Sequence, residues 1–163
     1  MTTPQINISI NQKLRVSLDK SWIRSIVLEV FKDEGIVTPV EIGLVVTDNE
    51  TVQELNRTYR DVDEPTDVLA FHMPFYNEQE PELPFVNPPD GVLHLGEVMI
   101  SYPKAVQQAQ EHSHSIAREL ALLIIHGVLH LLGYNHEEPG EEQRMRAKEK
   151  EIMRKLYTAW SDK

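Results

Sequence analysis

His126 and His130 stand four residues apart inside the longest apolar run of the chain, Leu120–Ile125, which continues past His126 to Leu132. On a helix that spacing puts both imidazoles on one face, one turn apart. Two unpartnered imidazoles on a Leu- and Ile-rich helix are costly to bury. The apolar surround therefore weighs against a purely structural reading of the two rings and in favour of a bound metal. Gly133 lets the backbone leave that helix at positive φ. After two intervening residues, His136 can fold back toward the same point. Three neutral imidazoles with one open position make a catalytic zinc arrangement, whereas a structural site would close the fourth position with protein. The open position would take a water, whose pKa such an ion lowers toward neutrality.

The chain has no cysteine. Any metal must then be held by His, Asp or Glu, and disulfides are excluded. A length of 163 residues suits one domain with one core. With 40% hydrophobic and 26% charged residues, the chain is too apolar to be disordered. The first ten residues, M-T-T-P-Q-I-N-I-S-I, lack the basic start and apolar run of a signal peptide. The apolar run around His126 is too short and too polar to span a membrane. The expected compartment is the cytoplasm.

The net charge of −10 is unevenly spread. Nine acids and no Lys or Arg lie between Asp61 and Pro103, leaving 17 acids against 16 bases elsewhere. Overall acidity argues against a general nucleic-acid binder. The balanced remainder leaves room for a local basic surface near the metal, and the acidic block reads as a solvated loop.

Alternation of Ile6, Ile8 and Ile10 with Asn7 and Ser9 predicts a half-buried strand. Asp19 is placed to cap a helix running to about Asp33, with Trp22, Ile26, Val27, Val30 and Phe31 inward and Gly35 as its stop. Ile42–Thr47 reads as a buried strand. Asp48 or Asn49 then caps a short helix bearing Val52, Leu55 and Tyr59. Val68–Met73 and Val98–Ser101 read as strands. Between them lies a long loop, about 74–91, with five prolines, a density that blocks helix and central strand. Ser101 or Tyr102 opens a helix with Pro103 in its first turn. Further helices are expected from about Ser115 to Leu132 and from about Pro139. The sum is one α+β domain, 1–163: a small mixed four-stranded sheet packed with about five helices, and a metal site at the end of one helix.

The H-x3-H-x5-H spacing equals that of metzincin proteases, H-E-x-x-H-x-x-G-x-x-H. Their catalytic Glu follows the first His. Here that position is Gly127, which cannot take a proton. A peptidase of that mechanism would need a carboxylate from elsewhere.

The stretch H-G-V-L-H-L-L-G-Y-N-H at 126–136 resembles the signature of the YbeY family, bacterial endoribonucleases that mature ribosomal RNA. L-N-R-T-Y-R-D-V-D-E-P-T-D-V-L-A-F at 55–71 resembles that family's other signature, and L-G-E-V-M-I-S at 95–101 its L-G-D-I-x-I-S strand. The blocks stand in the family's order. The resemblance implies a metal-dependent hydrolase that prefers single-stranded RNA. It would act on the small-subunit rRNA three-prime end and in ribosome quality control, with the small ribosomal subunit and its proteins as partners. It also implies that His126, His130 and His136 hold the metal and that Arg60, in the Y-R pair, is functionally important. Asn135 stands where the family usually has Asp, and Ala70 where it usually has Ser. The proline-rich loop is longer than typical.

Phosphodiester cleavage puts negative charge on non-bridging oxygens, which an arginine can clamp bidentately. By residues alone, a surface salt bridge with Asp61 or Asp63 is the favoured reading of Arg60, and the family resemblance shifts it to function. Asp67 is placed either to hydrogen-bond near the site or to shape the turn after Pro65. His72 and His94 flank the loop as strand residues that can line a cleft, while His112 and His114 are expected to be exposed. The last helix carries six acids and six bases between Glu137 and Lys155. It is read as a salt-bridged solvated face, with Met145, Ile152 and Leu156 inward. The nucleophile stays open between a metal-activated hydroxide and the ribose hydroxyl. Two rival functions stay open as well: a metal hydrolase of a peptide or amide bond, and a non-enzymatic ribosome-assembly factor with a structural metal.

Overall fold

A computed structural model describes residues 4–37, 39–60, 66–71, 92–134 and 139–161. Its elements run β1 (Gln5–Ile10), a 3-10 turn (Gln12–Leu14), α1 (Lys20–Asp33), β2 (Val40–Thr47), α2 (Asn49–Arg60) and β3 (Val68–Phe71). They continue with β4 (Leu93–Ser101), α3 (Tyr102–Glu111), α4 (Ile116–Leu131) and α5 (Pro139–Ser161). The expected α+β class and element order hold. The proline-rich loop 74–91, His72, Asn135 and His136 lie outside the described residues, as do the side chains of Tyr59 and Arg60.

Each helix that the sequence marked with a cap has one. The Asp19 carboxylate accepts from Ser21 N at 2.8 Å, Asp48 from Thr51 N at 2.7 Å, Ser101 Oγ from Lys104 N at 3.2 Å and Ser115 Oγ from Arg118 N at 3.1 Å. Each bond satisfies a backbone donor that the first helical turn leaves without a partner.

The sheet has the order β1-β2-β4-β3. β1 and β4 pair parallel to β2, and β3 pairs antiparallel to β4 at the edge. β4 begins five residues before the expected Val98. Its first half follows a proline-rich run and holds Gly96 at φ 128°, opposite a register shift between Glu41 and Ile42. A bulge of that kind breaks the two-residue alternation that would have revealed the strand.

The two faces of the sheet are covered unequally. Val40, Ile42, Leu44 and Val46 of β2 point into the main core with α1 and α4, where α3 and α5 add Ala105, Met145, Ile152 and Leu156. On the opposite face α2 seats Val52 against Leu69 and Met99. The edge strand β3 thus separates α4 from α2, and a cleft opens there.

α4 is buried along most of its length and ends as its sequence predicts. Gly133, at φ 111°, donates to His130 O and Tyr134 N donates to Leu129 O, both at 3.1 Å. This left-handed stop satisfies the last carbonyls of the helix and turns the chain sharply just before His136.

Candidate metal centre

His126 and His130 occupy the last two turns of α4 and face one cleft of about 290 Å³. β3 and the residues just before it supply Thr66, Asp67, Val68, Leu69 and Ala70, and α2 supplies Asn56. The expectation that these two histidines lie on one face of an apolar helix is met. Arg60 is the last residue of α2, four after Asn56.

Gly127 lies on the floor of the cleft, and the reason is steric. A Cβ there would stand 2.5 Å from Val98 Cγ1, 3.2 Å from Val98 Cγ2 and 3.3 Å from Val68 Cγ2. The helix is pressed onto β3 and β4 at this residue. The position that carries the metzincin glutamate has no room for a side chain.

The His126 ring is held from behind. Its Nδ1 lies 2.8 Å from Glu149 Oε1, and the side chains are 35% and 18% exposed. The hydrogen bond to Glu149 raises the His126 pKa above its ordinary value; burial opposes this, and the charges of Glu149 and Asp67 reinforce it. Glu149 was not legible as a site residue, because α5 reads as a salt-bridged charged helix. The charged face is real: Arg146 pairs with Glu142 at 2.7 Å, and Lys148 with Asp33 at 2.8 Å. Glu149, however, falls at helical spacing among Met145, Ile152, Met153 and Leu156, all buried. A carboxylate in an apolar stripe signals a partner.

Asp67 stands at the entry to β3 and on the wall of the cleft. Its Oδ1 accepts from Val68 N at 2.8 Å, which fixes the entry to β3, and the residue lines the cleft. Asn56, buried on α2, was missed; as a buried polar residue one turn after Val52 it carries a readable signal. His94 is a strand residue as expected, but its Nδ1 is engaged by Glu41 Oε1 at 2.8 Å. It is not among the described residues lining the cleft. Among the described residues no Lys or Arg lines the cleft; the Arg60 side chain lies outside them.

One expectation needs correcting. His112 is exposed, but His114 is half-buried, and both turn to Glu119, whose side chain is only 5% exposed. His112 Nδ1 lies 3.0 Å and His114 Nε2 2.7 Å from Glu119 Oε1. Ser113 between them, at φ 56°, lets both rings reach one carboxylate. The three ligand atoms lie within 4.8 Å of one another and could hold a metal ion. The trio pins the α3–α4 junction. Glu119 is seven residues before His126, about 10 Å along the helix, so this group is separate from the cleft.

The donors in the cleft suit a transition metal. Imidazoles one turn apart are common ligands, and the carboxylate on Nδ1 of His126 leaves Nε2 as the nitrogen that Glu149 does not engage.

Comparison with known proteins gives a consistent result. The family model for endoribonuclease YbeY matches residues 5–157. An endoribonuclease YbeY from Roseiflexus sp. (strain RS-1) is 43% identical over 152 residues, covering 93% of this chain and 92% of its own. One from Dehalococcoides mccartyi (strain CBDB1) is 43% identical over 145 residues, covering 88% and 87%. A Thermotoga maritima protein solved in solution matches with a TM-score of 0.61 at 24% identity, over 97% of this chain and 93% of that one, a likeness of fold.

Proposed function

The chain belongs to the endoribonuclease YbeY family, and on that premise we propose that it is a zinc-dependent, single-strand-specific endoribonuclease. It acts in maturation of the small-subunit rRNA three-prime end and in ribosome quality control, as one hydrolase domain over residues 1–163. Its partners are single-stranded rRNA and the small ribosomal subunit with its proteins, and its compartment is the cytoplasm. No helix among the described residues is long and apolar enough to cross a membrane.

The observation that carries the reading is the pairing of His126 and His130 on one cleft beneath the edge strand β3, with Gly127 between them. His126, His130 and His136 hold the ion in this reading. A bound divalent ion would supply positive charge beside the scissile phosphate and acidify a nearby hydroxyl. Arg60 neutralises the charge that gathers on the non-bridging oxygens. Asn56 and Asp67 offer hydrogen-bonding groups to a ribose or a nucleophile in the same cleft. The packing around Gly127 weighs against a peptidase of metzincin type, since its general base cannot stand there.

The test is cleavage of single-stranded RNA by metal-loaded protein. Arg60→Ala should keep the metal and lose cleavage, and His130→Ala should lose both. If both variants lose cleavage and the purified wild type is inactive only after chelation, the reading holds. Undiminished cleavage by Arg60→Ala would remove the assigned role of that residue.

A further inference from the structure

We propose that Glu149 is a positioning residue for the metal: it fixes His126 in the tautomer and orientation that present Nε2 to the cleft. The inference rests on the reading of His126 as a metal ligand and extends it to α5, an element with no ligand of its own.

The geometry begins with an anomaly in the sequence of α5. The inward face of this helix is Met145, Ile152, Met153 and Leu156, all buried. Glu149 sits in the middle of that stripe, one turn after Met145 and about one turn before Ile152 and Met153. Three neighbouring basic residues of α5 pair elsewhere: Lys148 with Asp33 and Glu34, Arg146 with Glu142 and Arg144 with Glu141. Glu149 instead crosses to α4, where its Oε1 lies 2.8 Å from His126 Nδ1.

A carboxylate is only an acceptor when ionised, so Nδ1 must be the protonated nitrogen of the ring. In the neutral ring, the form that binds a metal, the lone pair then resides on Nε2. A second partner that fixes the tautomer and raises ligand basicity is the usual companion of a metal-bound histidine, and its loss typically costs 10–100-fold in metal affinity. The same bond restrains rotation of the ring.

The test separates positioning from plain structural support. Full-length wild type, Glu149→Gln and Glu149→Leu are titrated with zinc in competition with a chromophoric chelator, and His130→Ala serves as the control for the site. Leucine suits the apolar stripe, so Glu149→Leu should melt at or above the wild-type temperature while its zinc affinity falls about 10–100-fold. Glu149→Gln keeps an acceptor for Nδ1–H and should fall between the two. Wild-type affinity in Glu149→Leu, with His130→Ala defective, would overturn the role of Glu149 and leave the site reading intact. Equal weak binding by wild type and His130→Ala would overturn the site reading, and the role of Glu149 with it. Equal losses of zinc affinity and melting temperature in both Glu149 variants would assign Glu149 to fold support and overturn positioning.

Discussion

The contact beneath Gly127 gives the sharpest quantitative prediction. In Gly127→Ala the new methyl carbon would start 2.5 Å from Val98 Cγ1. Carbon atoms settle at about 3.5–4.0 Å, so about 1 Å must be recovered by motion. Val98 cannot easily yield: it is fully buried, it is β-branched with one favoured rotamer, and its strand is central to the sheet. Forcing a methyl group into a packed core costs about 1–3 kcal/mol. Alanine returns up to about 1 kcal/mol of helix propensity. The expected net loss is roughly 1–2 kcal/mol, read as a fall of about 0.5–1 M in the urea midpoint. Val98→Ala removes both nearest atoms, so the double variant should be more stable than the sum of the singles, by about 0.5–2 kcal/mol. Urea unfolding of the four proteins measures this. A Gly127→Ala protein as stable as wild type would show that α4 does not sit this close to β4. The steric argument against a catalytic residue at position 127 would then fail.

Other outcomes follow from neighbouring contacts. Ala at Gly133, where φ is 111°, should cost about 1 kcal/mol and lower metal affinity, because this turn leads the chain toward His136. Unfolding and zinc titration measure the two effects separately. Glu119→Gln should destabilise the chain by about 1–2 kcal/mol through its bonds to His112 and His114 while leaving metal at the cleft unchanged. Burial works to raise the Asp33 pKa, but hydrogen bonds and charge from Lys148 and Lys155 prevail and hold it below the ordinary carboxylate value. The stability this contributes is therefore present above the unfolded pKa, near 3.9, and is lost as pH falls through the lower folded value. Asp33→Asn should flatten the acid limb of the stability–pH curve below about pH 4, and loosen the α1–α5 clasp at neutral pH by about 1 kcal/mol after solvent screening.

How much could be read in advance depends on where the signal resides. The caps at Asp19, Ser101 and Ser115 and the stop at Gly133 are local chemistry, so they stood in the sequence. The pairing of His126 with His130 needed only the pitch of a helix. The first half of β4 was hidden because Gly96 and the bulge opposite Glu41 erase its alternation. Glu149 was hidden for a different reason. Among so many paired charges its inward position shows only when α5 is wrapped on its core face, and its partner lies 23 residues away on another helix. The same holds for Glu119, whose two imidazole partners are brought to it by a left-handed backbone at Ser113. Gly127 illustrates both levels. Its inability to carry a proton was evident from its identity, while the closeness of Val98 that leaves no room for anything larger belongs to the packing of helix on sheet.

The central claim, one catalytic metal held by His126, His130 and His136, is tested most directly by metal content per chain. Elemental analysis of zinc-loaded, desalted protein should give close to one ion per chain for wild type and close to none for His126→Ala, His130→Ala and His136→Ala. A His112→Ala/His114→Ala double variant should retain its ion. Retention in the first three variants, with loss in the double variant, would move the metal to the Glu119 group and contradict the account.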